Sequence, residues 1–366
     1  MTQLLDTTLA AMIPVDLRHM GEAQTHLDDL TKPQGSLGRL EELAARALCV
    51  QRTREACLSA PSKPLSVAPA RMLTVAGDHG IASPETGVSL FPQEVTRQMV
   101  ANFVSGGAAI NVLTQTADMD LHVVDAGTLG GGYPEAPNLI QAKVRPGTRN
   151  MLDEPAMTRE ECVRALELGI DLAGQAVEDG MLVLGIGDMG IGNTTASTAL
   201  YCAFLGLDPH AVAGPGTGLP PERVKRKAEV IAQVLARHSA AIDRGDGVDI
   251  LAAVGGLEIA AMAGILLGAA RHQHIALVDG FIATAAYTAA QHITEDIKGY
   301  CIFSHGSAEP GHATALQALG AAPLLDLGMR LGEGTGAALA YMLLKASAAV
   351  YTDMATFSQA GVSSGS

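Results

Sequence analysis

Short apolar runs recur along this chain of 366 residues, and a loop rich in glycine and polar residues follows each of them. Longer stretches of helical composition separate the runs, which is typical of a parallel sheet wrapped by helices. Because open parallel sheets bind ligands at the carboxyl ends of their strands, we expect the loops that follow the runs to surround one crevice. The runs are residues 72–76, 121–124, 181–184, 275–278 and 300–303.

The third run leads into GIGDMGIGNTTAS, residues 185–197, which is the most informative loop. Its glycines allow the backbone to turn tightly and to approach a ligand, and Asn193, Thr194 and Thr195 are residue types that cap helices. A helix N-terminus behind such a loop offers N–H groups to an anion. We interpret the segment as a phosphate-binding loop. The alternative is an ordinary turn between a core strand and a core helix, which a glycine loop alone fits equally well.

The same loop also matches the GxGxxG pattern of dinucleotide-binding proteins, through Gly185, Gly187 and Gly190. In those proteins an acid at the end of the next strand binds the ribose. The acid at that distance here, Asp208, follows a segment of helical composition and precedes a proline. An NAD-dependent oxidoreductase is therefore the less favoured function.

Composition and charge exclude several classes of partner. A formal net charge of −14 argues against nucleic acid, because Lys and Arg must neutralise its phosphates. The 5 cysteines form no CxxC pair, so neither a disulfide framework nor a metal site is predicted, and a cytoplasmic location is expected. No segment has the pattern of a signal peptide, and the most apolar stretch, 259–270, is too short to span a membrane.

Two further glycine loops carry charged residues. GPGTG, residues 214–218, precedes a helix that contains Lys227, so it could bind a second group of anionic oxygens. GEGTG, residues 332–336, places Glu333 between two glycines before an Ala-rich helix. A flat ligand can approach such a carboxylate closely; the alternative is an acid that complements the helix dipole. A non-catalytic nucleotide-binding module would have no use for this acid.

The order of the motifs resembles that of one family, the nicotinate-nucleotide:dimethylbenzimidazole phosphoribosyltransferases. This resemblance implies transfer of 5-phosphoribose from nicotinate mononucleotide to 5,6-dimethylbenzimidazole, giving α-ribazole 5'-phosphate and nicotinate in cobalamin nucleotide-loop assembly. It also implies a homodimer that needs no cofactor and no metal. The segments that carry it are LTKPQGSLGRLEELA, AGDHGI, GVSLFPQEVT, GIGDMGIGNTTAS, GTGLPPERVKRK, VGGLEIAAMAGILLGAA, VDGFI, SHGSAEPGH and MRLGEGTGAALA.

The resemblance also assigns roles to individual residues. Glu333 is the expected base that takes the benzimidazole N–H proton. Asp188 has a supporting role, at a position where the family usually carries Glu, with a loop-stabilising aspartate as the alternative. Phe91 and Met99 are apolar where some relatives carry polar residues, which predicts a base pocket formed by shape and stacking. The residues expected to contact substrate are Asp78, Phe91, Met99, Gly187, Met189, Gly190, Gly192, Asn193, Thr194, Gly216, Lys227, Ser307 and Leu331.

The predicted fold is α/β, an open parallel sheet with flanking helices. Residues 65–324 are expected to form this Rossmann-like large domain, which carries the crevice. Both chain ends, 1–60 and 325–366, are expected to form a small helical domain. His79, His305 and His312 lack metal-ligand spacing and are interpreted as hydrogen-bonding residues of the loops, with direct contact to substrate as the alternative. The last residues, SQAGVSSGS, are expected to be disordered.

Overall fold

The expected parallel sheet is present in the computed structural model, which describes residues 3–363. Its strands are β1 (Ala70–Gly77), β2 (Asp120–Gly127), β3 (Leu139–Gln141), β4 (Val183–Met189), β5 (Ile275–Val278) and β6 (Cys301–Phe303). All neighbours are parallel, in the order β3-β2-β1-β4-β5-β6. Each predicted run overlaps a strand, so the α/β fold class is confirmed. The sequence analysis missed β3, because it is short and only half-buried.

Helices flank this sheet. They are α1 (Gln3–Ala10), α2 (Met20–Asp29), α3 (Arg39–Cys57), α4 (Glu94–Val104), α5 (Ala109–Ala117), α6 (Arg159–Glu178), α7 (Asn193–Leu205), α8 (Pro209–Val212), α9 (Pro221–Arg237), α10 (Ser239–Arg244), α11 (Gly247–Val254), α12 (Leu257–Arg271), α13 (Phe281–Ile293), α14 (Pro310–Leu319), α15 (Thr335–Asp353) and α16 (Phe357–Ala360), with short 3-10 helices at Leu17–His19, Gly80–Ala82 and Glu295–Ile297.

The strand order creates a switch point between β1 and β4. The chain builds outward from β1 through β2 to β3, then returns to the other side of β1 with β4 and continues to β6. Loops that leave β1 and β4 therefore diverge, and a crevice opens between them at the carboxyl edge of the sheet. The site expected from the sequence lies at this edge.

The central glycine segment is more strand than loop. β4 continues to Met189, so Gly185 and Gly187 lie inside the strand and the loop shrinks to 190–192. The absence of a side chain at Gly185 makes room for Met72, whose Cε would be 2.6 Å from an added Cβ. These glycines therefore permit close packing on the sheet rather than a tight turn.

The start of α7 also differs from the prediction. Its N-cap is Gly192, with φ 98°, and no side chain caps the helix. The predicted cap residues Asn193 and Thr194 instead occupy the first turn, which leaves their side chains available to the crevice.

Close helix packing explains how a chain with only 3% aromatic residues forms a large core. α6 lies directly against α12, which in turn contacts β1, β2, β4 and β5. A Cβ at Gly169 would lie 1.9 Å from the carbonyl oxygen of Ala261, and one at Gly264 would lie 2.0 Å from that of Leu166. Small residues at these crossings let the two backbones touch, so dispersion contacts replace large side chains.

The two ends of the chain meet. α3 packs on α15 and α2 packs on α3, while the His26 ring nitrogen lies 2.8 Å from the Tyr351 carbonyl oxygen. α1 differs, because it packs against α6 and α12. The division into domains 1–60 with 325–366 and 65–324 stays a prediction: α2, α3 and α15 pack together, but α15 also packs on α5, β4 and β5.

The C-terminal segment is ordered further than expected. Residues 357–360 form α16, in which the side chains of Thr356 and Gln359 make a capping box, so the prediction of disorder is wrong for 358–360. Residues 364–366 lie outside the described part of the chain. Within residues 3–363, no helix combines the length and the apolar character needed to cross a membrane.

Candidate active site

A cavity of about 220 Å³ opens beyond the carboxyl ends of β4, β5 and β6. Segments distant in sequence form its walls, including 188–194, 280–282 and 330–332. The predicted residues that line it are Asp188, Met189, Gly190, Asn193, Thr194, Gly216, Ser307 and Leu331. The structure thus brings together most of the expected substrate contacts, and their binding role stays a prediction.

Asp188 is a buried carboxyl at the edge of this cavity. Its Oδ2 accepts a hydrogen bond of 2.8 Å from Asn193 Nδ2. Burial, together with the negative charges of Asp279 and Glu258, raises its pKa well above the ordinary value, while the Asn193 bond lowers it. The Asn193 bond orients the carboxyl, and the raised pKa favours the form that can also donate a hydrogen bond.

Glu333 directly follows Leu331 and Gly332, which line the cavity, but it does not line the cavity itself. Its side chain is buried, and Oε2 accepts a hydrogen bond of 3.1 Å from the backbone N–H of Ile110, in the first turn of α5. Burial raises the pKa of Glu333, the Ile110 bond opposes this, and the charge of Asp279 adds to it. A carboxylate with a raised pKa is a better proton acceptor than an exposed one, which suits a general base.

The start of α15 is closed by an internal carboxylate. Asp279, directly after β5, accepts hydrogen bonds from the backbone N–H groups of Gly334 (3.2 Å) and Ala337 (3.0 Å). His305 Nε2 lies 3.6 Å from its Oδ1. Asp279 therefore neutralises the positive end of the helix that follows Glu333.

The start of α7 faces the cavity instead. Thr194 in its first turn lines the cavity together with Gly216 and Ser307. Arg330 lines it as well, and its Nη1 donates a hydrogen bond of 3.0 Å to the Gly216 carbonyl. A helix N-terminus, two hydroxyl groups and a guanidinium form a suitable environment for a phosphate.

Lys227 lies behind this group and is fully buried. Its ammonium donates to Thr194 Oγ1 at 2.8 Å and to the Gly214 carbonyl at 3.2 Å. Burial lowers its pKa to about 8, and the charge of Glu309 opposes that shift. In this conformation Lys227 reaches the cavity through the Thr194 hydroxyl rather than directly.

A second cavity, of about 640 Å³, adjoins the loops after β1 and β2. Asp78 and Phe91 line it, and Phe91 is 45% exposed. Asp78 Oδ2 accepts a hydrogen bond of 2.7 Å from the backbone N–H of Leu129. Two of the predicted contacts are therefore on the β1 side of the crevice, opposite the cavity that Asp188 lines.

Several known proteins resemble this chain along most of its length. The model of a phosphoribosyltransferase family matches residues 12–362. The nicotinate-nucleotide–dimethylbenzimidazole phosphoribosyltransferase of Oleidesulfovibrio alaskensis is 58% identical over 349 residues, which are 95% of each chain. This chain belongs to that family. The enzyme of the same name from Nitratidesulfovibrio vulgaris is 56% identical over 99% of each chain.

A solved structure extends the family likeness to three dimensions. The crystal structure of CobT from Thermus thermophilus has a TM-score of 0.87 and 44% identity, and the match covers 95% of this chain and 100% of that one. The family assignment made from the ordered motifs is therefore confirmed, and the chain is an enzyme of the phosphoribosyltransferase class.

The family assignment removes the oxidoreductase alternative. The acid that a dinucleotide fingerprint requires does not end a strand, because Asp208 is the N-cap of α8 and accepts a hydrogen bond from the His210 N–H. The preceding segment forms α7, as its composition predicted.

Four predicted contact residues of this phosphoribosyltransferase lie away from both cavities, within the described range 3–363: Lys227, described above, and Gly187, Gly192 and Met99. Gly187 lies under the main chain of Glu333, and an added Cβ would be 2.2 Å from the Glu333 carbonyl oxygen. Gly192 lies against His79 and Ala82, and Met99 is half-buried on the core. These residues support the walls of the crevice in this conformation.

The histidines of the family motifs make internal contacts, as interpreted from the sequence. His79 lies 2.6 Å from Glu258, and His312 accepts the Ser307 N–H through Nδ1 at 2.7 Å. Burial lowers the pKa of His312 to about 3, so its ring is neutral and can accept this bond. His312 thereby orients the loop that carries Ser307.

Sequence reasoning missed Arg330, Asp279 and Thr74. Arg330 was visible directly before the LGEG motif, and Asp279 was visible in VDGF, after an apolar run. Thr74 gave no signal, because it is an ordinary polar residue inside the β1 run and only its tertiary contact with Glu333 distinguishes it.

Proposed function

We propose that this phosphoribosyltransferase moves the 5-phosphoribosyl group of nicotinate mononucleotide to a ring nitrogen of 5,6-dimethylbenzimidazole. The observation that supports the proposal is the buried Glu333 carboxyl, directly after the cavity-lining residues Leu331 and Gly332, together with a helix start on the same cavity that could bind phosphate. A transferase of this kind needs a proton acceptor near the attacking nitrogen and a fixed anion site for the donor.

The reaction forms one bond and breaks one. The free nitrogen of the benzimidazole attacks the anomeric carbon while the bond from that carbon to the pyridine nitrogen breaks, and nicotinate leaves with that electron pair. The attacking ring becomes cationic, and Glu333 takes the proton from its N–H. A carboxylate at this position also stabilises the positive charge that develops on the base and the sugar. Inversion at the anomeric carbon requires the two bases to occupy opposite faces of the ribose.

Phosphate binding is assigned to the start of α7, with Thr194, Ser307 and Arg330. Lys227 holds the Thr194 hydroxyl and adds positive charge behind it. Asp188, oriented by Asn193, is assigned to the ribose hydroxyl groups. Because one helix dipole, one arginine and one buried lysine act on the same position, a dianionic phosphate is favoured over a neutral group.

The flat base is assigned to the apolar side of the crevice. Phe91 lines one cavity and Met189 and Leu331 line the other, so these three can contact the ring, while Met99 supports the wall behind them. Phe91 and Leu331 are exposed. Exposed apolar residues beside a cavity lose their contact with water when a planar ring covers them, which stabilises the complex.

The test follows nicotinate release from nicotinate mononucleotide with and without 5,6-dimethylbenzimidazole. Release should require the benzimidazole and should fall about 100-fold or more in Glu333→Gln, which cannot accept the proton. Equal binding of the nucleotide by both proteins would be the control that the variant is folded. Full turnover by Glu333→Gln would refute the role of the base, and absence of benzimidazole-dependent release from the folded wild type would refute the transfer itself.

We further propose that the enzyme is a cytoplasmic homodimer. The cysteines are unpaired within residues 3–363, which fits a reducing compartment, and exposed apolar residues such as Leu17 and Leu58 could be covered by a second copy. Sedimentation should then give twice the chain mass of 37.6 kDa, and cell fractionation should recover the protein in the cytosol. A monomer at micromolar concentration would contradict the dimer.

A further inference from the structure

The main chain of Glu333 has an unusual conformation. Its φ is 65°, and its neighbours Gly332 and Gly334 have φ values of 85° and 98°. Glycine adopts such values at no cost, but a residue with a Cβ rarely does, and it stays there only where its surroundings hold it. The structure must therefore contain the groups that hold Glu333 in place.

Hydrogen bonds engage both peptide groups of Glu333. Its N–H donates to the Asp188 carbonyl at 3.2 Å. Its carbonyl accepts a hydrogen bond of 2.8 Å from the Thr74 hydroxyl, across 259 positions of sequence. The first contact is with the end of β4 and the second is with the middle of β1, so the sheet itself determines where Glu333 lies.

Thr74 and Gly187 form the surface that receives this residue. They are direct neighbours in the register of β1 and β4. Gly187 has no Cβ, and one built there would lie 2.2 Å from the Glu333 carbonyl oxygen. The missing side chain leaves a depression in the sheet, and the Thr74 hydroxyl provides a donor at its edge. The Glu333 carbonyl group fits into this depression and accepts the hydrogen bond of Thr74.

Asp279 fixes the residues that follow. Its carboxylate accepts the N–H groups of Gly334 and Ala337, which holds the first turn of α15 against β5. The Glu333 carboxylate accepts a hydrogen bond from the Ile110 N–H at the start of α5. The direction of this side chain therefore depends on main-chain contacts from β1, β4 and the loop after β5.

We propose that Thr74 is a positioning residue for the reaction: its hydroxyl holds the left-handed main chain of Glu333 and so directs the carboxylate toward the reacting base. This rests on the proposed role of Glu333 as the base. Thr74 is fully buried below Glu333, so it acts through that residue and does not touch substrate.

The decisive variants are Thr74→Val, which keeps the shape and removes the hydroxyl, and Thr74→Ser, which keeps the hydroxyl. Thr288→Val is the matched control, because Thr288 is another fully buried threonine and donates 2.8 Å to the Thr284 carbonyl within α13. We expect Thr74→Val to lower kcat about 10- to 100-fold with the KM for nicotinate mononucleotide changed less than about threefold. Thr74→Ser should retain most of the activity, and Thr288→Val should retain all of it.

Two further readouts separate positioning from general stability. Added to Glu333→Gln, Thr74→Val should lower kcat no further, because the group that it positions is absent. The acid limb of the kcat/KM profile should also move to lower pH in Thr74→Val. Burial raises the pKa of Glu333, and a released side chain would reach water and lose that shift.

Three results would overturn the proposal. They are a Thr74→Val enzyme with normal kcat and normal pH profile, a loss equal to that of Thr288→Val, or a loss that persists in full in the Glu333→Gln background. Failure of the base assignment looks different, because Glu333→Gln alone would then retain full turnover whatever Thr74→Val does.

Discussion

Two helices, α7 and α15, begin at the crevice, and the groups that face their positive N-terminal ends differ. α7 and α15 both start after a glycine N-cap with φ 98°, and neither N-cap residue carries a capping side chain. The start of α15 is closed by the Asp279 carboxylate, whereas the start of α7 faces the cavity beside Arg330. A helix N-terminus that is neutralised by a carboxylate of the protein contributes to the stability of the fold. A helix N-terminus that faces a cavity can bind the anion of a ligand.

This difference separates the two tasks of the enzyme. At the closed end, Glu333 directly precedes Gly334, the N-cap of α15. The fold itself therefore determines the position of Glu333. The open end has Thr194, which lines the cavity, while the N–H groups of Asn193 and Thr195 already donate to the carbonyls of Gly190 and Gly192. Asp188 lies between the two ends. Changes at the α15 start should therefore affect kcat, and changes at the α7 start should affect the KM of the nucleotide.

The largest effect is expected at the closed end. Asp279→Ala removes the acceptor of two buried N–H groups and should destabilise the fold by about 3 kcal/mol, with kcat about 100-fold lower because Glu333 is displaced. Asp246→Ala is the control for loss of a helix-start acceptor away from the crevice. Asp246 is the N-cap of α11 and accepts the N–H groups of Val248 and Asp249, although its side chain is partly exposed and also paired with Arg159. Thermal unfolding and steady-state kinetics check both, and an unchanged kcat in folded Asp279→Ala would remove the distinction between the two helix ends.

A smaller effect is expected at the open end. Arg330→Ala should raise the KM for nicotinate mononucleotide about 10-fold with little change in kcat, because a charge-assisted bond to phosphate contributes about 1.5–3 kcal/mol. Arg330→Lys should recover part of this loss. Arg226→Ala is the control, because Arg226 is a surface arginine paired with Glu229 on α9.

The substrate can be varied as well as the enzyme. With nicotinate riboside, which lacks the phosphate, Arg330→Ala and wild type should turn over alike. An equal loss with the riboside and the mononucleotide would show that Arg330 does not act on the phosphate, and the comparison between the two helix starts would then fail.

The smallest effect concerns stability and pH at Asp188, between the two ends. Its folded pKa is raised, so the folded chain retains a proton that the unfolded chain releases. Stability from this group is therefore full below the unfolded value near 3.8 and is lost as pH rises toward the folded value. Asp188→Asn removes the buried charge, so the variant should gain stability relative to wild type between pH 5 and pH 8. The gain should grow as the pH rises from the unfolded value near 3.8 and should level off at the folded pKa.

An exposed aspartate provides the control for that measurement. Asp6→Asn, on α1, should leave the pH dependence of the melting temperature unchanged. A stability difference between Asp188→Asn and wild type that is constant from about pH 4 to pH 8 would contradict the raised pKa and would separate Asp188 from the electrostatics of the two helix ends.

Much of the fold was predictable because it depends on local pattern. Apolar runs form strands wherever helices cover both faces, so β1, β2, β4, β5 and β6 could be located from the sequence. Their parallel arrangement then requires their carboxyl ends to share an edge, which is why the loops that carry Asp188 and Ser307 were expected together. The ordered motifs identified the family without any structure.

Other features depended on which strands became neighbours. β1 and β4 are far apart along the chain, and only their pairing brings Thr74 beside Gly187 and leaves room for the Glu333 carbonyl. Gly187 was therefore taken for a loop residue that contacts substrate. Lys227 was expected at the phosphate, but packing of α9 on α7 buries its ammonium behind Thr194. Sequence patterns report the periodicity of burial within a segment; contacts between segments depend on strand order and register, which only the tertiary structure determines.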